Sequence, residues 1–301
     1  MSSNLFFIGI DGGGTKCRAR LEDANGVLLG EGVSGPANIM RDSDVAKASI
    51  INAINTAISI ANKTKVTGHI TLSQCVVGAG LAGANIEYAR NAFEKWQHPF
   101  HSLHVLSDLH AACVGAHNGN PGAAIIIGTG SSGTMWEGDS FQDIGGHGFP
   151  IGDKASGAWL GLKAVQHTLL CLDELEEMDE LAVEICSALQ SSCAQDIVAK
   201  CAEFNTHHYA ALVEKLLPLL YIKQKTVTAL FEEGAVYIER MAQRLLANHD
   251  HALAMIGGLS NIYSTYFSES IKARLVPCKA TPQQGAIYHA KAACNHKEGE
   301  K

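Results

Sequence analysis

The chain has 301 residues, 47% of them hydrophobic and 18% charged, with 30 glycines, enough apolar material for one large core or two moderate ones, which excludes a disordered chain. Lys and Arg number 23 against 30 Asp and Glu, a formal net charge of −7, so no basic surplus supports binding to nucleic acid or anionic lipid. An anionic ligand would need a local positive site.

The first residues carry no basic leader region, and no run of about 18 uncharged apolar residues follows, so neither a signal peptide nor a membrane span is expected and the chain reads as cytoplasmic. The 9 cysteines are odd in number, irregularly spaced and lack Cys-x-x-Cys, which reads as reduced, mostly buried thiols. The 14 histidines show no metal-ligand spacing and read as surface or core residues.

Leu5 to Asp11 is an apolar strand running into Gly12-Gly13-Gly14. Cys17 to Asp23 and Val27 to Val33 flank Asn25-Gly26, the preferred dipeptide of a two-residue hairpin. Val45, Ile50, Ile54, Ile58 and Ala61 stand at helical spacing within 42–62, Leu72 to Val77 reads as a core strand, a helix is expected over 85–96, and Leu103 to Leu106 reads as a strand ending at Asp108. A second copy is expected from about residue 123. An offset of 119 aligns Ile8, Gly9, Gly14 and Thr15 with Ile127, Gly128, Gly133 and Thr134, and the second strand of that copy is read as Gly133 to Glu137. From Ser156 to Asn248 the pattern is helical, with the acidic run 173–184 read as a solvated helix face. Strands Ala252 to Ile256 and Ile271 to Val276 and a helix from Pro282 to Ala293 close the chain.

Three Gly-rich segments end apolar strands: Asp11-Gly12-Gly13-Gly14-Thr15-Lys16, Gly128-Thr129-Gly130-Ser131 and Gly257-Gly258. Backbone N–H groups in such turns form anion-binding concavities, although each alone could be a hairpin turn. Neither the Walker A nor the Rossmann glycine pattern is present.

These segments resemble the two phosphate motifs and the adenosine motif of the actin, Hsp70 and sugar-kinase superfamily. Gly9-Ile-Asp-Gly-Gly-Gly-Thr-Lys16 is similar to the branch holding the N-acetylglucosamine and glucosamine kinases and the BadF/BadG/BcrA/BcrD ATPases. The resemblance implies an α/β, two-lobed actin-like (ribonuclease H-like) fold with duplicated βββαβαβα lobes and an ATP cleft. The lobes would be 1–107, completed by a C-terminal helix at about 282–297, and 108–281 with a helical insertion.

It further implies ATP binding by Gly12, Gly13, Gly14, Thr15, Lys16, Gly128, Thr129, Gly130, Ser131, Gly257 and Gly258, with Mg²⁺ on Asp11. Amino-sugar contacts would come from Asn38, Asp108, Gly146, Asp153 and Gly157, and Lys154 departs from the acidic residue of many relatives. A sugar 6-hydroxyl is a poor nucleophile and wants a carboxylate to accept its proton, the role expected of Asp108. Asp108 and Asp153 could equally cap the helices that follow them. The implied partner is a small amino sugar, the implied assembly a homodimer, and the alternative activity that of an ATPase activator of a 2-hydroxyacyl-CoA dehydratase.

Overall fold

The structure is a computed structural model and describes residues 5–64 and 68–299. Residues 1–4, which carry part of the expectation of no leader, lie outside it.

The first strand, β1 (Phe6–Gly12), turns back into β2 (Cys17–Glu22), antiparallel from Phe7 opposite Glu22 to Gly12 opposite Cys17. Asn25-Gly26 does mark the turn, but the loop has three residues, Ala24 to Gly26, instead of the expected two, with the Asp23 N–H donating to the Val27 carbonyl at 3.1 Å. Gly26 sits at φ +84°, its N–H donates to the Asp23 carbonyl at 3.1 Å, and the Asp23 carboxylate accepts from the N–H groups of Asn25 and Val27. β3 (Leu28–Ser34) then pairs antiparallel with β2. Helix α1 (Ser43–Thr64) buries Ile50, Ile54, Ile58 and Ala61, while Val45 stays exposed. It approaches β3 so closely that a Cβ on Gly30 or Gly32 would meet the carbonyls of Ala57 or Ala53. β4 (Cys75–Leu81) lies parallel to β1, and after α2 (Glu87–Glu94) β5 (Ser102–Ser107) lies parallel to β4. Leu72–Gln74, expected to begin that fourth strand, is a 3₁₀ turn, because Gln74 Oε1 accepts from the Thr71 N–H and folds the chain back. Helix α3 (Asp108–Ala116) follows directly.

The second half brings β6 (Gly122–Ile127), β7 (Ser131–Trp136) and β8 (Phe141–Gly145), then a helical stretch. It comprises α4 (Gly157–Leu172), α5 (Glu180–Leu189), α6 (Ala194–Ala202), α7 (Thr206–Ala211), α8 (Val213–Tyr221) and α9 (Lys225–Leu246). After it come β9 (Leu253–Ile256), α10 (Ser260–Ser264), α11 (Glu269–Lys272), β10 (Leu275–Val276) and α12 (Pro282–Gly299). Part of the expected strand 271–276 is therefore helix: Ile271 is buried on the single turn of α11. The acidic run also divides, with 173–178 irregular and only the segment from Glu180 helical.

The two sheets have the same topology. The first runs β3-β2-β1-β4-β5 and the second β10-β9-β6-β7-β8, the same order read from the other end, with β9 parallel to β6 and β10 to β9. The duplication is thus real, but the offset of 119 is not its register. β1 and β6 end at Gly12 and Ile127, and β2 and β7 begin at Cys17 and Ser131, so Thr15 lies in a turn whereas Thr134 lies inside β7. The second turn is the shorter one.

The chain divides into two compact units, one of Met1–Gly122, Met135–Phe141 and Pro277–Lys301, the other of Ala123–Thr134 and Gln142–Val276. Helix α3, expected to open the second lobe, belongs with the first because α12 packs on it: a Cβ on Gly285 would meet the Ala111 carbonyl, and one on Gly115 the Thr281 carbonyl. Likewise Phe141 stacks on His110 of α3 at 3.8 Å between ring centroids. The first core gathers Ile8, Ile10, Leu21, Ile50 and Leu81, and the second unit buries Ile125, Leu160, Phe231 and Tyr263. Among the described residues no helix is long and apolar enough to cross a membrane. None of the 9 cysteines is in a disulfide; four are buried, three half-buried and two exposed, so burial of the thiols is less general than expected.

Candidate active site

In the first unit, Asp11 and Asp108 stand at the C-terminal edge of the parallel strands, where open α/β sheets bind ligands. Asp11 pairs in register with Gly80 of β4, Gly80 with Leu106 of β5, and Asp108 follows one residue after that strand ends. Half-buried Asp11 faces its cross-strand partner Arg18, Oδ2 to Nη1 at 3.4 Å. Burial pushes its carboxyl up, and Arg18 partly offsets this. Beneath it the Cys17 thiol is pushed up to about 12, by burial first and by the Asp11 charge second, so it stays protonated and inert.

Asp108 is the first residue of α3, not its cap. Ser107 caps the helix, its hydroxyl accepting from the His110 N–H at 3.1 Å, while Asp108 Oδ1 accepts from the Leu109 N–H at 2.9 Å. The Asp108 side chain remains exposed, yet the protein around it removes enough water to raise its pKa. The Leu109 N–H opposes that shift, and the negative charge of Asp11 adds to it.

The turn between β1 and β2 is closed by the Gly13 N–H on the Lys16 carbonyl at 2.9 Å, leaving Gly14, Thr15 and Lys16 exposed. A Cβ at Gly14 would meet nothing within 4 Å, whereas one at Gly12 would strike Leu81 and Ala37. Gly12 is therefore a packing requirement, and Gly14 is open surface. Asn38 Oδ1 accepts from the N–H groups of Met40 and Arg41, each at 3.0 Å, which aligns the side chain and leaves its amide N–H groups as the donor end. A cavity of about 260 Å³ opens beside Asn38, Arg41 and Asp42.

In the second unit, the 128–130 turn is tied to the start of α4. The N–H groups of Gly157 and Ala158 donate to the carbonyls of Gly128 and Thr129 at 2.8 and 3.2 Å, and a Cβ on Gly157 would stand tightly, 3.2 Å, from the Gly128 carbonyl. Ser131 commits its hydroxyl to the Lys154 carbonyl at 2.7 Å, so it shapes the turn. Ser156, not Asp153, caps α4. Asp153 instead lies 9% exposed with a left-handed φ of +60°, accepting from the Gly148 N–H at 3.3 Å. Burial raises its pKa, opposed by N–H groups of Gly148 and Ser131. A Cβ on Gly130 would come within 2.6 Å of Asp153 Oδ2, so that glycine makes the carboxylate's space. Lys154 is ion-paired to Glu233 at 2.7 Å and so is directed at protein. Gly146 adopts φ +66° and donates to the Ser131 carbonyl, a backbone role.

Gly257 sits at φ +103°, and a Cβ there would collide with the Ile127 carbonyl, so its constraint comes from β6 and not from a nucleotide. Gly258 has nothing within 4 Å and is the open one of the pair.

Within the first unit the structure thus gathers Asp11, the 12–16 turn and Asp108; within the second it gathers the 128–131 turn, Gly157 and Asp153. Sequence reading missed Arg18, which the 13–16 turn, pairing Gly12 with Cys17, places opposite Asp11.

The family model described as the BadF/BadG/BcrA/BcrD ATPase family matches residues 8–286. Glucosamine kinase GspK of Vibrio cholerae is 31% identical over 288 residues, covering 95% of either chain. The N-acetyl-D-glucosamine kinase of Dictyostelium discoideum is 28% identical over 235 residues, 73% of this chain and 71% of that one. A Chromobacterium violaceum crystal structure, provisionally assigned as an N-acetylglucosamine kinase, superposes with a TM-score of 0.85 at 27% identity over 96% of this chain and 99% of that one.

Proposed function

Because the chain belongs to the BadF/BadG/BcrA/BcrD ATPase family, we propose that it is an ATP-dependent kinase that phosphorylates the 6-hydroxyl of an amino sugar, glucosamine or N-acetylglucosamine. The observation that carries the chemistry is the electrostatically linked pair Asp11 and Asp108 at one strand edge of the first unit.

Asp108 accepts the proton of the sugar hydroxyl as its oxygen forms the bond to phosphorus, and ADP leaves with the electrons of the broken bond. Its raised pKa, caused first by loss of surrounding water, makes it a better proton acceptor than an ordinary aspartate. The donor set suits a hard cation: oxygen ligands on two carboxylates, with Arg18 as the counter-charge on Asp11. Asp11 would hold Mg²⁺, which when bound neutralises charge on phosphate oxygens. Gly14 to Lys16 and Thr129 to Gly130 offer backbone N–H groups to phosphates, while the Gly13 and Gly128 N–H groups close their own turns, and Thr15 and Thr129 add hydroxyls. Open Gly258 suits adenosine, and Gly257 holds the turn that presents it. Asn38 and Asp153 would bind sugar hydroxyls, with Gly146 and Gly157 fixing the backbone around them.

The dehydratase-activator alternative is set aside, since the curated relatives named above are amino-sugar kinases. Cytoplasmic residence and a homodimer belong to the same reading. ADP release measured with glucose, glucosamine, N-acetylglucosamine, N-acetylmannosamine and buffer alone is expected to be fastest with an amino sugar. Equal release in buffer, or a preference for glucose, would refute the assignment.

A further inference from the structure

We propose that His167, Cys171 and Asp179 of the second unit form a Zn²⁺ site. His167 and Cys171 lie one turn apart on α4 and share a helix face, and Asp179 precedes α5. Three different ligand atoms converge. His167 Nε2 is 3.0 Å from Asp179 Oδ2 and 3.4 Å from Cys171 Sγ, and all three atoms lie within 4.8 Å of one another. Both contacts meet the same ring nitrogen. This is not the arrangement of a nucleophile relay, in which the thiol and the carboxylate use opposite nitrogens of the imidazole.

Ligands about 2.0 to 2.3 Å from Zn²⁺ stand roughly 3.3 to 3.6 Å apart in a tetrahedral site. The two separations from His167 Nε2, 3.0 and 3.4 Å, are near that range, and Cys171 Sγ and Asp179 Oδ2 lie within 4.8 Å of each other. A thiolate, an imidazole and one carboxylate select Zn²⁺ over Mg²⁺ or Ca²⁺. The carboxylate is held in place before any metal arrives: Oδ1 accepts from the Ala182 N–H at 2.9 Å, and Oδ2 accepts from Gln224 Nε2 at 2.8 Å and Thr226 Oγ1 at 2.7 Å. Such outer contacts orient a metal ligand.

Cys171 is 4% exposed, and a cavity of about 1140 Å³, also lined by Glu176 and Glu177, admits the ion and a water as fourth ligand. Cys171 now donates its S–H to the Glu177 carbonyl at 3.2 Å. On binding, that proton passes to solvent and the sulfur bonds the metal. The ion would pin the end of α4 to the start of α5 across the irregular acidic segment.

The test uses the full-length, tag-free protein dialysed against a chelator and then titrated with Zn²⁺ alone. One Zn²⁺ per chain is expected, and Co²⁺ in its place should give thiolate-to-cobalt charge-transfer absorption. Cys171→Ser should abolish that band and weaken Zn²⁺ binding by more than the ~100-fold that loss of an outer-shell partner causes. His167→Gln should weaken it likewise, and both variants should keep sugar-dependent ADP release in zinc-free buffer. Absence of stoichiometric Zn²⁺ at micromolar free metal, or equal affinity in wild type and Cys171→Ser, would overturn the proposal.

Discussion

Replacing Gly130 by alanine should move a carboxylate without disturbing the fold. Gly130 does not need a left-handed backbone, so alanine adds no conformational strain. Its Cβ, however, would stand 2.6 Å from Asp153 Oδ2, well inside van der Waals contact, and the atom that must yield is the end of a short side chain. Yielding turns the carboxylate away from the Gly148 N–H it accepts from at 3.3 Å. A hydrogen bond to a charged group contributes about 1.5 to 3 kcal/mol, and a sugar hydroxyl bound to the displaced carboxylate loses an interaction of the same kind. At about 1.4 kcal/mol per tenfold, KM for the sugar should rise roughly 10- to 150-fold, with the melting temperature little changed. Steady-state kinetics with sugar varied at saturating ATP reads the effect. Gly130→Ala and Asp153→Asn should also be non-additive, since both act on one carboxylate. A sugar KM within twofold of wild type, or full additivity, would refute the coupling.

Asp108→Asn should lower kcat about 10²- to 10⁴-fold, the usual worth of a general base, while sugar binding measured by calorimetry persists. The same variant should raise the melting temperature at pH 7. A carboxyl whose folded pKa lies above its unfolded value of 3.8 costs stability once ionised, and that cost vanishes as pH falls below the unfolded value, so the gain should disappear in acid. The acid limb of kcat/KM should titrate above 3.8, because the base must be ionised and burial and Asp11 both resist ionisation; a limb at or below that value would contradict the assignment. Gly257→Ala should lower the melting temperature by several degrees through its φ of +103° and the Ile127 carbonyl, which a thermal melt checks directly.

Strands β1 to β3 and their hairpin were legible because Asn25-Gly26 and alternating burial are local signals, and the phosphate turns were legible because glycine marks them. The repeat was visible in kind but not in register, since glycine matches cannot tell a four-residue turn from a three-residue one. Helix α3 went to the wrong half because its partner, α12, lies at the other end of the chain. Caps were ambiguous: Ser107 and Asp108, or Asp153 and Ser156, are equally competent by residue type, and only backbone geometry chooses between them. His167, Cys171 and Asp179 escaped notice because the ligand types differ and the 173–178 segment bends in a way no periodicity records.

The glycines that let α12 lie on the first unit also set the order in which that unit can be completed. A Cβ on Gly9 or Gly78 would run into the carbonyls of Gln283 or Ala286, so this face of β1 and β4 is shaped for a helix that is made only after every segment of the second unit. Until α12 arrives, a nascent chain already holding Asp11 and Asp108 has an uncovered sheet beneath them. The intervening second unit can fold during that wait, because its segments are already made. Completion of the first unit therefore waits until the second has been made, and a chain cut short before α12 would carry both carboxylates without the layer that supports the strands behind them.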